Sequence, residues 1–314
     1  MTSSLKVAVV QRPPVLLDRE ATMKVAVEYL HEAADAGATL IVFPETYIPG
    51  YPVWIWSLRP GADYQLTSEI HRVLLDNSVD LTGDDLRPLR DAAAERGVVV
   101  VVGIHERDGE FSRATLYNTL VTIGADGSIL NRHRKLMPTN PERMIWGQGD
   151  ASGLRVVDTP IGRLGGLICW ENYMPLARYA LYAEGVEIYV ASTWDSGSGW
   201  LASMQHIAKE GRCWVIGSGC SLRTADVPQN FPGRDHVFDD DVEWLNPGDS
   251  VVVAPGGEIV AGPLHEEHGF VIADIDVGQA MADHRVLDVA GHYNRPDIFQ
   301  LSVDRAAHSP ITYH

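Results

Sequence analysis

Asp84-Asp85-Leu86-Arg87-Pro88-Leu89-Arg90-Asp91-Ala92-Ala93-Ala94-Glu95-Arg96-Gly97-Val98-Val99-Val100-Val101-Val102-Gly103-Ile104-His105 contains both periodicities from which the fold follows. Asp84–Arg96 reads as a helix stopped at Gly97. Val98–His105 reads as a strand, and Val98–Val102 shows no alternation of apolar and polar residues. A strand that is apolar at every position is buried on both faces. The same pairing stands earlier in the chain: a strand at Lys6–Val10, then Glu20–Ala36 with Met23, Val27, Leu30 and Ala34 at helical spacing. Gly37 ends that helix, and the apolar run Leu40–Phe43 closes at Pro44. Strand and helix alternating over short connections predict an α/β layered fold.

Hairpin signals follow. Leu116–Ile123 and Ile129–Lys135 flank Ala125-Asp126-Gly127, and Val251–Ala254 and Ile259–Gly262 flank Pro255-Gly256-Gly257. Further strands read at Arg163–Cys169, Ile188–Ala191, Val215–Gly219 and Phe270–Ile275, with helices at Pro175–Glu184 and Leu201–Glu210. About ten strands are too many for one open sheet, so the expected architecture is a four-layer α-β-β-α sandwich in one domain over residues 1–314. No low-complexity linker divides the chain, and no repeat is visible. Thr224–Val242, rich in Asp, Pro and Gly, reads as a long surface loop.

The composition narrows the function. Lys plus Arg number 25 against 42 Asp plus Glu, a formal charge of −17, which opposes nucleic-acid and anionic membrane partners. Met1 to Gln11 lacks the pattern of a secretion signal. The longest apolar stretch, Val98–Ile104, is far short of the roughly 20 residues of a membrane span. Cys169, Cys213 and Cys220 are the three cysteines, an odd, sparse set that suits free thiols in the cytoplasm.

Cys169 falls on an elbow between the strand Arg163–Ile168 and a helix opened by Asn172 and Pro175. The positive end of that helix is expected to favour thiolate over thiol, and the N–H after the elbow to meet developing negative charge. Cys213 and Cys220, in or at the ends of apolar strands, read as buried inert thiols. Glu45 follows Leu40-Ile41-Val42-Phe43-Pro44, and Lys135 ends Ile129–Lys135, so a carboxylate, an ammonium and a thiol occupy equivalent strand-end positions. Taken singly, Glu45 also fits a solvated loop residue and Lys135 a surface charge within Arg132-His133-Arg134-Lys135.

These segments resemble the nitrilase superfamily of carbon–nitrogen hydrolases. The resemblance lies in Phe43-Pro44-Glu45-Thr46-Tyr47-Ile48-Pro49-Gly50-Tyr51-Pro52, His133-Arg134-Lys135-Leu136-Met137-Pro138-Thr139 and Gly165-Gly166-Leu167-Ile168-Cys169-Trp170-Glu171-Asn172. Cys-Trp-Glu-Asn, Glu142-Arg143, Trp146-Gly147-Gln148-Gly149-Asp150 and Gly291-His292-Tyr293-Asn294-Arg295-Pro296-Asp297 are similar to the nitrile-hydrolysing branch. It implies Glu45 as general base, Lys135 as transition-state stabiliser, Cys169 as nucleophile and Glu142 as a second carboxylate. It also implies an α-β-β-α sandwich that dimerises through its outer helices into an eight-layered unit. Many microbial members continue beyond the Arg-Pro-Asp segment with a tail linked to filaments. This chain stops at His314, so the resemblance does not carry filament formation over.

The expected function is that of a nitrilase converting an organic nitrile to the acid and ammonia through a Cys169 thioimidate and thioester, without cofactor or metal. An amidase or N-carbamoyl hydrolase would use the same triad, and a catalytically silent binding protein would keep only the fold. Tyr51, Trp54, Trp146, Trp170, Tyr173 and Trp194 lie near the catalytic segments in sequence, and two or three of these rings are expected at the substrate, Trp194 foremost. His265-Glu266-Glu267-His268 has a metal-compatible spacing but reads as an exposed turn after Pro263. Gly197-Ser198-Gly199 and Gly217-Ser218-Gly219 do not continue as nucleotide loops. Apolar residues on more than one face of Pro175–Glu184 predict at least a homodimer.

Overall fold

The structure is a computed structural model and describes residues 4–311. Met1–Ser3 and Thr312–His314, the ends of the expected 1–314 domain, lie outside the described residues. In chain order the elements are β1 (Ser4–Gln11), α1 (Arg19–Asp35), β2 (Leu40–Val42), α2 (Tyr64–Asp76), α3 (Arg87–Arg96), β3 (Val99–Arg107), β4 (Leu116–Ile123) and β5 (Ile129–Arg134). There follow β6 (Val157–Thr159), β7 (Gly162–Ile168), α4 (Pro175–Ala183), β8 (Ile188–Thr193), α5 (Ser198–Gly211), β9 (Trp214–Gly219) and β10 (Ser221–Arg223). The last are α6 (Arg234–Val237), β11 (Trp244–Val253), β12 (Ile259–His265), β13 (Gly269–Asp276) and α7 (Val277–Asp283).

The strands form two sheets, ordered β13-β1-β2-β3-β4-β5 and β10-β11-β9-β8-β7-β6, with β12 also paired to β11. The unbroken valine run explains the layering. Val99 and Val101 face the core between the sheets with Val7, Val9, Ile188 and Val190. Val100 and Val102 face the opposite way, against Met23, Leu30, Leu89 and Ala93 of α1 and α3. On the outside of the second sheet, Ala177 and Leu181 of α4 and Met204 and Ile207 of α5 cover Tyr189, Ala191 and Val251. The α-β-β-α order read from the sequence is therefore the observed one. Local chemistry sets the ends of the helices: the Asp18 side chain accepts from Ala21 N–H at 2.9 Å to start α1, and Gly97 at φ 62° closes α3.

Two readings are refined. The strands number thirteen among the described residues, because β6 and β10 are only three residues long and carry no run that periodicity detects. Thr224–Val242 lies at the surface as expected but is anchored rather than free of structure: Val227, Phe231, Val237 and Phe238 are buried, and α6 lies within it. Its apolar residues join Trp54, Ile70, Leu74 and Trp146 in a cluster of their own. The helix α2, which supplies Ile70 and Leu74, was not anticipated. Among the described residues, no helix is long and apolar enough to cross a membrane.

Candidate active site

Glu45, Lys135 and Cys169 each stand just beyond the last residues of β2, β5 and β7, and Trp194 just beyond β8. In α/β sheets ligands collect at the carboxyl ends of strands, and here the two stacked sheets point several such ends at one spot. Reactive atoms of Glu45, Glu142 and Cys169 all lie within 4.8 Å of one another. None of the four is solvated: Glu45, Lys135 and Glu142 are each 1% exposed and Cys169 4%.

The carboxylates share one cation. Lys135 Nζ donates to Glu45 Oε1 at 2.8 Å and to Glu142 Oε2 at 2.7 Å. Asn118 Nδ2 also donates to Glu45 Oε1 at 2.7 Å, and the Trp194 backbone N–H holds Oε2 at 2.7 Å. Glu142 accepts from Tyr51 OH at 2.8 Å and from Thr139 N–H at 2.6 Å. Both carboxylates are thus fixed at both oxygens, as buried charges must be.

Burial pushes the Glu45 carboxyl above its usual range and Glu142 adds to this, while Lys135 pulls it back. Burial disfavours the Lys135 ammonium, but Glu45, Cys169 and Glu142 outweigh it and hold the proton firmly. The Cys169 thiol is pushed up to about 12, first by burial and then by Glu45, against the opposing effect of Lys135. This corrects the expectation of a thiolate stabilised by a helix end. Cys169–Tyr173 is a single 3-10 turn, and α4 begins only at Pro175, so the resting group is a thiol. Cys169 itself adopts φ 51°, a strained left-handed conformation for a residue with a side chain.

Several supporting residues were not singled out from sequence. Glu171 accepts from Leu136 N–H at 2.6 Å, Ile168 N–H at 2.7 Å and His133 Nε2 at 3.0 Å, joining the segments that carry Lys135 and Cys169. Burial opposes the Glu171 charge, yet His133 and the two backbone donors hold its pKa below the usual value. His105 donates through Nε2 to Gly50 O at 2.9 Å and accepts from Trp146 Nε1 at 3.0 Å through Nδ1. Burial drives its pKa to about 3, so it is a neutral strut. A Cβ at Gly103 would collide with the backbone of Pro44–Thr46, so only glycine lets the loop bearing Glu45 cross β3.

A cavity of about 380 Å³ opens over the thiol. Tyr51, Trp170 and Trp194 line it together with Glu142 and Cys169. Tyr51 and Trp194 stack at 4.3 Å, 8° from parallel. Trp54 and Trp146, also expected there, do not line the cavity. Trp54 packs on Phe231 at 5.6 Å in the apolar cluster, and Trp146 lies behind Lys135, whose Nζ is 5.8 Å from its ring. Sequence proximity could not distinguish a ring facing the cavity from one supporting its floor. His265, at the end of the metal-spaced segment, is engaged by Asp249, Nδ1 to Oδ1 at 2.7 Å.

Comparison with known proteins agrees with this geometry: residues 6–285 match the carbon–nitrogen hydrolase family profile. The chain belongs to the carbon–nitrogen hydrolase family. Nitrilase 3 of Arabidopsis thaliana is 40% identical over 319 residues, covering 99% of this chain and 90% of that protein. An aliphatic nitrilase of Sinorhizobium fredii is 39% identical over 98% of both chains. A bifunctional nitrilase/nitrile hydratase of Lupinus angustifolius is 41% identical over 99% of this chain and 89% of its own length. The crystal structure of Saccharomyces cerevisiae Nit3, a nitrilase-superfamily member, superposes with TM-score 0.73 at 18% identity, covering 93% of this carbon–nitrogen hydrolase and 97% of Nit3. A Nesterenkonia amidase superposes with TM-score 0.64 at 18% identity, covering 91% and 97% of the two chains, a likeness of fold alone.

Proposed function

We propose that this carbon–nitrogen hydrolase is a nitrilase, with Cys169 as nucleophile, Glu45 as general base, and Lys135 and Glu142 completing the catalytic set. The observation that carries the reading is the Lys135 ammonium shared by two buried carboxylates beside the buried Cys169. The nitrile branch is favoured over the amidase branch because relatives near 40% identity over nearly the whole chain are named nitrilases, whereas the amidase likeness is at 18%.

The Cys169 sulfur adds to the nitrile carbon as its proton passes to Glu45 and on to the nitrile nitrogen, giving a thioimidate. Lys135 stabilises charge that develops on nitrogen. Glu45 then takes a proton from water as its oxygen attacks. The tetrahedral species loses ammonia to leave a thioester, and a second water releases the acid and restores the thiol. Loss of sulfur instead of nitrogen would release the amide.

Purified Cys169→Ala should release no ammonia from any nitrile that the wild type hydrolyses, while Cys213→Ala and Cys220→Ala retain turnover. Ammonia from amides alone would move the assignment to the amidase branch. The three buried free thiols support a reducing, cytoplasmic setting. Leu176, Tyr293, Ile298 and Phe299 leave a large apolar groove beside α4, which supports association of at least two copies. Light scattering that gives a monomer mass at every concentration would oppose it.

A further inference from the structure

We infer that Asp195 makes the cavity selective for nitriles whose side group carries no negative charge. The inference rests on the nitrilase reading and deepens it. Asp195 lines the cavity together with Glu142, and among the described lining residues there is no Lys or Arg. Lys135 cannot supply the missing cation, since it is buried and held by both Glu45 and Glu142. Val53, Trp56, Leu245 and Pro247 are apolar and Ser57, Thr139, Ser196 and Asn246 are neutral, so the rest of the lining adds no charge.

Asp195 is also fixed in place. Its Oδ2 accepts from Trp170 Nε1 at 3.0 Å and from Tyr173 OH at 2.8 Å, and its Oδ1 accepts from Ser196 N–H at 2.9 Å. Its own N–H donates to Thr193 Oγ1 at 2.7 Å. The carboxylate therefore cannot swing aside without releasing two donors of the Cys169 turn, and Trp170 is held as a wall next to the nucleophile. A carboxylate on the side group of a nitrile would find no cation in this lining and would face a fixed anion. Neutral groups with an apolar body meet no such opposition. The product of hydrolysis is itself a carboxylate, so the charge that rejects anionic substrates also favours product departure.

The test uses the neutral nitrile turned over best in a panel, carrying a terminal methyl ester, and its analogue with the free carboxylate. Ammonia release gives kcat/KM for each. The wild-type ester should exceed the carboxylate on the order of 50-fold, the repulsion of two unit charges about 7 Å apart at an effective dielectric of about 20. Asp195→Asn removes that repulsion and should bring the ratio close to one, and Ser57→Lys, which adds a cation to the lining, should lower it as well. The ratio does not depend on how much of a variant folds. A wild-type ratio near one, or an unchanged ratio in Asp195→Asn, would overturn the inference. Absence of ammonia from every neutral nitrile, with amides hydrolysed, would overturn the nitrilase reading and this inference with it.

Discussion

Lys135→Met places an apolar side chain of similar length between two buried carboxylates, and its consequences differ for rate and for stability. Glu45 Oε1 and Glu142 Oε2 lie 2.8 and 2.7 Å from the ammonium that would be lost. Leaving a buried charge without its partner costs about 3–5 kcal/mol, which for a chain of this size lowers Tm on the order of 10 °C. The carboxylates can escape part of that cost by binding a proton. The folded pKa of Glu45, already raised by burial, would then rise further above the unfolded glutamate value of about 4.3. A group whose folded pKa is raised contributes most stability at low pH and loses it as pH rises through the folded value. The Tm deficit of Lys135→Met against wild type should therefore be smaller at pH 5 than at pH 8. The rate gains nothing from the same proton, because a protonated Glu45 cannot act as base. Added to the lost stabilisation of charge on nitrogen, kcat should fall by at least about 10² at every pH. Thermal unfolding at the two pH values and ammonia release under saturating nitrile measure both effects. A Tm deficit independent of pH would refute the account of the shared cation, and an unchanged kcat with raised KM would make Lys135 a binding residue.

Because the proposed base, Glu45, has to be ionised to take the thiol proton and its pKa is raised by burial and by Glu142, kcat/KM should fall as pH is lowered, with a midpoint above the ordinary value of about 4.3; a flat profile down to pH 4 contradicts this. Glu142→Gln keeps the shape but deletes one of the charges beside the nitrogen that must leave protonated. It should slow turnover and raise the amide fraction of the product, and chromatography of amide and acid from one nitrile shows whether it does. Glu171→Gln removes the charge that holds His133 and two backbone donors, and should cost about 1.5–3 kcal/mol in urea unfolding. Since the Glu171 pKa is lowered on folding, its contribution is present above the unfolded value and disappears as pH falls through the folded one. The difference between the two proteins should accordingly close in acid.

The sandwich was legible because Val98–Val102 is apolar at every position, a pattern that only burial between two layers satisfies. Glu45, Lys135 and Cys169 were legible together, because their strand-end positions fall in the segments that resemble the nitrilase superfamily; taken singly, Glu45 and Lys135 also fitted a solvated loop residue and a surface charge. The state of the thiol was not, because it depends on how deeply the elbow is buried and on carboxylates brought from distant segments. Glu171 and Asn118 escaped notice for a related reason: their significance lies in partners 35 and 73 residues away. The anchoring of the surface segment after Thr224 was not legible because its polar composition outweighs the few apolar residues, Val227, Phe231, Val237 and Phe238, that decide its packing.

The second carboxylate gives the site a property that a simple thiol–base pair would lack. At rest the cluster holds two carboxylates, one ammonium and a neutral thiol, a net charge of −1, with the thiol pKa near 12 opposing early ionisation. In the proposed mechanism the proton moves from Cys169 to Glu45 and then to the nitrile nitrogen as sulfur adds, and each movement leaves that net charge unchanged. Hydration of the thioimidate follows the same course, with water in place of the thiol. In a buried site, where creating a new charge is far more costly than in water, a sequence of neutral transfers avoids that cost at every step. In this scheme Glu142, held by Thr139 N–H, Lys135 and Tyr51, takes no part in the proton transfers. Its part is to keep Lys135 charged and in place while Glu45 gains and loses its proton. The base can then cycle without releasing the ammonium that the next addition requires.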